Sequence, residues 1–415
     1  MYTEILNYIN TLEIIDTHEH LPAWEKLRDC ENDVFSEYFI HYFPRDIISA
    51  GIDKDKFAML CLNNCLSIAE KWEIAEKFWE HSRYTGYGQA LAVTARDIYG
   101  IEDINGSTIE KLNDEFKKTQ KQNDYFKFIL KEKSKIKTSL LDNESALESD
   151  RSIFTPIKRI DSMINPGNSK TIEVLTEKTG VKVTAFDDYL NACGAYTEFL
   201  IKNTASLKSA IAYERTLSFE TSDYNLAKKE FDTKVLYGND KFKLSLEFQN
   251  YIWHHLMKKI DEHGAAIQIH TGIQEGNGNT LYNSNPRRLN NLFLEYPNIK
   301  FDVFHMGYPY QNELGALAKM FPNVYIDMCW AHIISPVACV NALSEWIELM
   351  PINKINGFGG DYCFVDGVYG HQKIARQNIA KALTIKVKDG LFGVEKACEL
   401  AKRILVENPS ELFGV

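Results

Sequence analysis

The chain has 415 residues, of which 45% are hydrophobic and 25% charged, and a formal net charge of −10. Such proportions suit a soluble globular chain with one large core or two domains. The negative balance argues against nonspecific binding to nucleic acid or anionic membranes. No run reaches the ~18 consecutive apolar residues of a membrane span.

The N-terminal MYTEILNYIN lacks a basic segment leading into an apolar one, so a cytoplasmic location is expected. The eight cysteines, Cys30, Cys61, Cys65, Cys193, Cys329, Cys339, Cys363 and Cys398, form no CxxC pair. Reduced, mostly buried thiols are expected.

In chain order, residues 2–10 suit a short helix and 12–18 a first strand. The stretch from Leu12 to His20 reads LEIIDTHEH. With a side-chain period of two, His18 and His20 point the same way, with Asp16 beneath them. Two imidazoles so placed can grip one divalent ion at roughly 2.0–2.1 Å per Zn–N bond. From Trp24 to Lys137 the pattern becomes helical, most clearly over 56–84 and 108–133. We read residues 23–137 as a helical insertion after the first strand, and its aromatics Trp72, Phe78, Trp79 and Tyr84 as core packing.

Strands and helices then alternate. Expected strands are 139–143, 152–161, 209–217, 265–272, 299–307, 324–330 and 355–363. Amphipathic segments lie at 186–204, 242–263, 286–296, 310–321 and 335–350, with an irregular link after the second strand. A final helix over 393–406 leads to NPSELFG, where Pro409 interrupts it. Alternation implies parallel pairing. Eight such units make an α/β fold, a (β/α)8 TIM barrel, formed by residues 1–22 and 138–415.

Barrel active sites lie at the strand ends. His18 and His20 end the first strand, His270 the fifth, His305 the sixth and Asp361 the eighth. Each terminates an apolar run. We therefore expect His18, His20, His270 and Asp361 to hold one divalent ion. Zn2+ is favoured, with Mn2+, Fe2+ and Co2+ as alternatives. Such an ion lowers the pKa of bound water toward roughly 7. Asp361 is placed to accept that water's proton and pass it on. His305 is read as polarising a substrate carbonyl, orienting the nucleophile, or serving as a fifth ligand. A second ion would need a bridging anion. Lys208 falls at the beginning of the expected fourth strand, the wrong end, and Glu214 lies nearer the useful end, so one ion is expected.

Arg159 and Arg215 sit near the ends of the third and fourth strands, where a guanidinium can hold a carboxylate in a two-pronged contact. His332 and His371 follow strand ends and are candidates for substrate contact. His41, His81, His254, His255 and His263 read as surface or packing residues. EGNGN at 275–279 lacks the glycine spacing of a phosphate loop and reads as a loop over the site.

The set DTHEH, QIHTG, FHMGYPY, NVYIDMCWA, INKINGFGGDY and ILVENPSELFG resembles the amidohydrolase superfamily, in its amidohydrolase-2 branch. The insertion after the first strand is similar in layout to uronate isomerases. The resemblance implies a barrel with a divalent metal at its mouth, held at His18, His20, His270 and Asp361, with His305 beside it. It also implies a homo-oligomer. Uronate isomerases carry an arginine two residues after the last-strand aspartate, where this chain has Cys363. The expected function is a metal-dependent hydrolase of an amide, ester or lactone in a small polar molecule, with or without a carboxylate, using a metal-bound hydroxide. The alternatives are a decarboxylase or uronate-type isomerase on the same scaffold, or a metal-binding pseudoenzyme.

Overall fold

The structure, a computed structural model, describes residues 1–28, 31–62, 66–238 and 240–415. Cys30 and Cys65 lie outside the described residues. The six described cysteines are free, with Cys193, Cys329 and Cys339 buried and Cys61, Cys363 and Cys398 partly exposed.

Eight parallel strands follow one another in sequence order: β1 (Ile14–Glu19), β2 (Ile136–Asp142), β3 (Phe154–Arg159), β4 (Ser206–Ser209), β5 (Ala266–Ile269), β6 (Lys300–Val303), β7 (Val324–Asp327) and β8 (Ile355–Asn356). The ring is drawn together just past β8. Thr17 N–H donates to Phe358 O at 3.1 Å, His20 N–H to Tyr362 O at 2.9 Å, and Asp361 N–H to His18 O at 2.8 Å. The result is a (β/α)8 barrel, with helices joining most strands, as parallel pairing requires.

Local chemistry sets the helix limits. In the helix Leu246–His263, the Ser245 side chain accepts from Phe248 N–H at the start, and Gly264 at φ +59° ends it just before β5. A left-handed residue costs glycine little, so the chain can turn sharply into the strand.

Three expectations shift. The fourth strand lies at Ser206–Ser209, not 209–217, and Ile211–Tyr213 is a single 3-10 turn. The buried strand is short and carries a lysine, so no apolar run marks it, whereas AIAYERTL alternates without being a strand. The helix Val365–Lys388 escapes the periodicity reading. It is covered by the helices Tyr2–Ile9, Gly86–Tyr99 and Pro336–Leu349, so no polar face shows in its sequence. Finally, β2 begins at Ile136, two residues earlier than the expected boundary.

Between β1 and β2 lie the helices Phe43–Ser49, Lys54–Cys61, Ile68–Ser82, Gly86–Tyr99 and Ile109–Gln120. Trp72 and Trp79 are buried, while Tyr84 is exposed. This segment rests on the barrel mouth through Tyr42, whose ring stacks on Trp330 at 4.5 Å. At the opposite end, Leu412 and Phe413 of the C-terminal helix Asn408–Phe413 pack on Ile15, Leu140, Ile157 and Ala266. Pro409 stands in that helix's first turn, where its missing N–H costs nothing.

Candidate active site

The strand ends converge on a cavity of about 240 Å³ lined by His18, His20, Lys208, His270 and Asp361 from the barrel, Arg159 and Tyr213 at its side, and His41, Tyr42 and Glu275 above. His20 Nε2 stands 3.1 Å from Asp361 Oδ1, and His18 Nε2 stands 3.7 Å from the same oxygen. His305 Nε2 lies 2.9 Å from His270 Nδ1. The five sequence-derived donors therefore share one place.

The outer nitrogen of each imidazole is committed. His18 Nδ1–H donates to Gln268 Oε1 at 3.0 Å, and His20 Nδ1–H to Asp142 O at 2.8 Å. His270 Nε2–H donates to Ile273 O at 3.0 Å, and His305 Nδ1–H to Cys329 O at 2.9 Å. These acceptors fix each tautomer and leave the inner nitrogens bare. His18 Nε2 is buried without a hydrogen-bond partner. Burial, with neighbouring cationic groups, drives His18 and His270 well below the ordinary imidazole value, and burial takes His305 down to about 4. All three are neutral at pH 7. Burial also disfavours the His20 imidazolium, but the Asp361 and Asp142 carboxylates outweigh it and its pKa rises. Asp361 is held well below the ordinary carboxylate range, because the hydrogen bond and charge of His20 outweigh the cost of its burial. Bare imidazole nitrogens around an ionised carboxylate form a donor set that fits a divalent cation.

Asp361 is positioned by β1. The β1–β2 pairing slips between Asp16 and Glu19. Gly360 N–H donates to Asp16 Oδ1 at 2.9 Å and Tyr362 N–H to Glu19 Oε2 at 2.8 Å, on either side of Asp361. Burial pushes the Asp16 carboxyl up to about 6, and burial with the Asp16 charge beside it pushes Glu19 well above the ordinary carboxylate value. Left-handed backbone collects here at non-glycine residues: His41 at φ 72°, His305 at 60°, Met306 at 59°, Trp330 at 61° and Asp361 at 60°. Such strain gathers at functional sites.

Some sequence candidates fall elsewhere. Arg215 is buried, donates to Thr216 O, Ser218 O and Asn250 Oδ1, and stacks over Phe219 at 4.6 Å. It is a structural clamp, displaced because β4 ends six residues earlier. His332 Nε2–H donates to Gly357 O at 2.9 Å and His371 Nδ1–H to Gly360 O at 3.1 Å. Both are buried outside the cavity lining, behind the loop that carries Asp361. Arg159 does line the cavity, and its Nε lies 2.6 Å from Asp142 Oδ2.

Other residues escaped the sequence reading. Asp142 closes β2 and stands 3.6 Å from His18 Nε2; the strand-end rule could have found it. Lys208 lies at the functional end of β4, not at its beginning. His41, read as a surface or packing residue, lines the cavity from the insertion. The glycine-rich loop is tied down, with Arg45 Nε 2.5 Å from Glu275 Oε1.

Residues 231–415 match the family model described as Amidohydrolase. The C-terminal part of the chain, from the segment before β5 to the end, is thus similar to that family. Over its whole length it has the fold of uronate isomerases. The Thermotoga maritima uronate isomerase structure superposes with a TM-score of 0.80, covering 99% of this chain and 97% of that one at 18% identity. Protein fluG of Emericella nidulans is 30% identical over 156 residues, 37% of this chain and 18% of that protein. Uronate isomerase of Cutibacterium acnes is 20% identical over 298 residues, 66% of this chain and 63% of that protein. The chain thus spans less than two thirds of either curated relative. Among the described residues, no helix is long and apolar enough to cross a membrane.

Proposed function

We propose that the protein is a metal-dependent aldose–ketose isomerase acting on a small sugar acid. One observation carries this reading. A metal-type donor set and two cationic side chains, Arg159 and Lys208, face one roofed cavity. The names of the Thermotoga and Cutibacterium relatives support it. The displaced reading is hydrolysis, which the description of the matched family model names.

His18, His20, His270 and Asp361 would hold the ion, with His305 beside it. Bound there, a divalent cation supplies Lewis acidity toward the substrate's carbonyl and hydroxyl oxygens. Arg159 binds the substrate carboxylate with its free N–H groups, held in orientation by Asp142. Asp361 holds the proton that moves between neighbouring carbons, its carboxylate ionised and ready to accept. The roof of Tyr42, His41 and Glu275 keeps bulk water off the exposed intermediate.

The second reading is hydrolysis of a small carboxylated amide, ester or lactone. It is favoured by Cys363, which stands two residues after Asp361 where uronate isomerases carry arginine. Metal-loaded protein incubated with a panel of hexuronates decides between them. Conversion to a ketose of equal mass supports the isomerase. Turnover of esters, amides or lactones with no hexuronate converted overturns it, and CO2 release would assign decarboxylation.

A further inference from the structure

The cavity contains an ammonium group that the described residues leave without a close acidic partner. Lys208 pairs in register with Arg159 on β3 and Gln268 on β5. It is 2% exposed. Its Nζ stands 3.3 Å from the centroid of the Phe304 ring. Among the described residues it has no hydrogen-bond acceptor and no carboxylate within ion-pair reach. The other charges in the wall have close partners: Arg159 has Asp142, Glu275 has Arg45 and Asp361 has His20. A ring face recovers only part of the solvation a buried cation gives up. Burial pulls the Lys208 pKa down to about 8, so the amine is still mostly charged at neutral pH.

Its position selects the reacting end of the substrate. Lys208 lines the same cavity as His18, His20, His270 and Asp361, so it stands beside the donor set. Arg159 is half exposed and suits a remote carboxylate.

We infer that Lys208 is a catalytic residue whose ammonium binds the substrate oxygen that becomes negative during proton transfer, an inference that rests on the isomerase reading. The substrate class is an α-hydroxy carbonyl compound. The C–H bond beside the carbonyl breaks, and its electron pair forms the C=C bond of an enediolate. The C=O pair moves onto the oxygen facing Lys208, while Asp361 holds the proton. The neighbouring hydroxyl oxygen then gives up its proton to the Lys208-bound oxygen and becomes the new carbonyl. The C=C pair takes the proton from Asp361 at the first carbon. One carbon is oxidised as its neighbour is reduced, so no external oxidant is needed.

The test compares metal-loaded wild type, Lys208→Met and Lys208→Arg, each checked for folding by circular dichroism and thermal melting. On the hexuronate that wild type converts, Lys208→Met should lower kcat by about 10²–10³-fold, the loss typical of one oxyanion donor, with KM little changed. Lys208→Arg should recover part of kcat. Oxalate, a planar dianion resembling the enediolate, is titrated with and without Mn2+ and should bind at least tenfold (~10) more weakly to Lys208→Met than to wild type. An unchanged kcat, or unchanged oxalate affinity, overturns the inference. So does wild-type activity that rises with bicarbonate and vanishes in Lys208→Met, which would mark a carbamylated lysine. If wild type converts no hexuronate, the isomerase reading falls, and the oxalate titration alone decides whether Lys208 is an anion site.

Discussion

His270 Nδ1 and His305 Nε2 face each other at 2.9 Å, each bare because its other nitrogen donates to a backbone carbonyl. Two neutral imidazoles repel in this arrangement unless they share a cation. The pair is therefore as strong a candidate for holding an ion as the first-strand histidines. His305→Ala and His270→Ala should each bind Zn2+ or Mn2+ more weakly, measured by metal analysis after dialysis. Gln268→Ala, which removes the acceptor that orients His18 together with a donor to Thr17 O, should lose about 10–100-fold in affinity. Unchanged stoichiometry and affinity in all three would remove this pair from the centre.

The two arginines separate recognition from architecture. Arg159→Met should raise KM for the substrate by tenfold or more (~10), with the melting temperature little changed, because Arg159 is half exposed and its remaining N–H groups are open to a carboxylate. Arg215→Met should do the reverse. It strips Asn250 and two carbonyls of a buried charged donor, a loss of about 1.5–3 kcal/mol per bond, while KM stays put. Steady-state kinetics beside thermal melts would show the split, and a shared response would refute it.

Gly360 is where the Asp361 loop is most intolerant. A Cβ there would meet Glu19 Oε1 at 1.8 Å, whereas one at Gly393 meets nothing within 4 Å. Gly360→Ala should displace Asp361 and abolish both metal retention and turnover. Gly393→Ala should be silent in the same assays. An active Gly360→Ala enzyme would mean that the loop has slack which the packing does not suggest.

Acid should weaken the fold through His332. Burial lowers its pKa to about 4, below the roughly 6.5 of an unfolded chain. Between those values the unfolded state binds the extra proton. The stability this group contributes is therefore complete above about pH 6.5 and is lost as pH falls toward about 4. Urea titrations of wild type and His332→Gln should converge as the pH drops from about 7 to about 5, by up to about 1.4 kcal/mol per pH unit. Parallel pH profiles would contradict the assignment.

The barrel was legible because most of its strands are apolar runs separated by helical segments, and the five donors because each ends such a run. Other parts were hidden for identifiable reasons. β4 is four residues long and has a lysine inside, so hydrophobic patterning passed over it and selected the alternating stretch beyond, taking Arg215 along. Lys208 was accordingly set at the wrong end. His41 sits in the insertion, and nothing local to HYFP tells that its ring overhangs residues more than 300 positions later. That contact depends on how Tyr42 stacks on Trp330. Asp142 needed only the rule already applied to the other strand ends.

The ion pair of Arg45 with Glu275 bolts the inserted helices to the loop after β5, directly over the pocket. Ceiling and floor are thus written in separate stretches of the chain. Substitutions in the ceiling can change which molecules gain entry and how long they stay, while the groups that perform the chemistry below are left untouched.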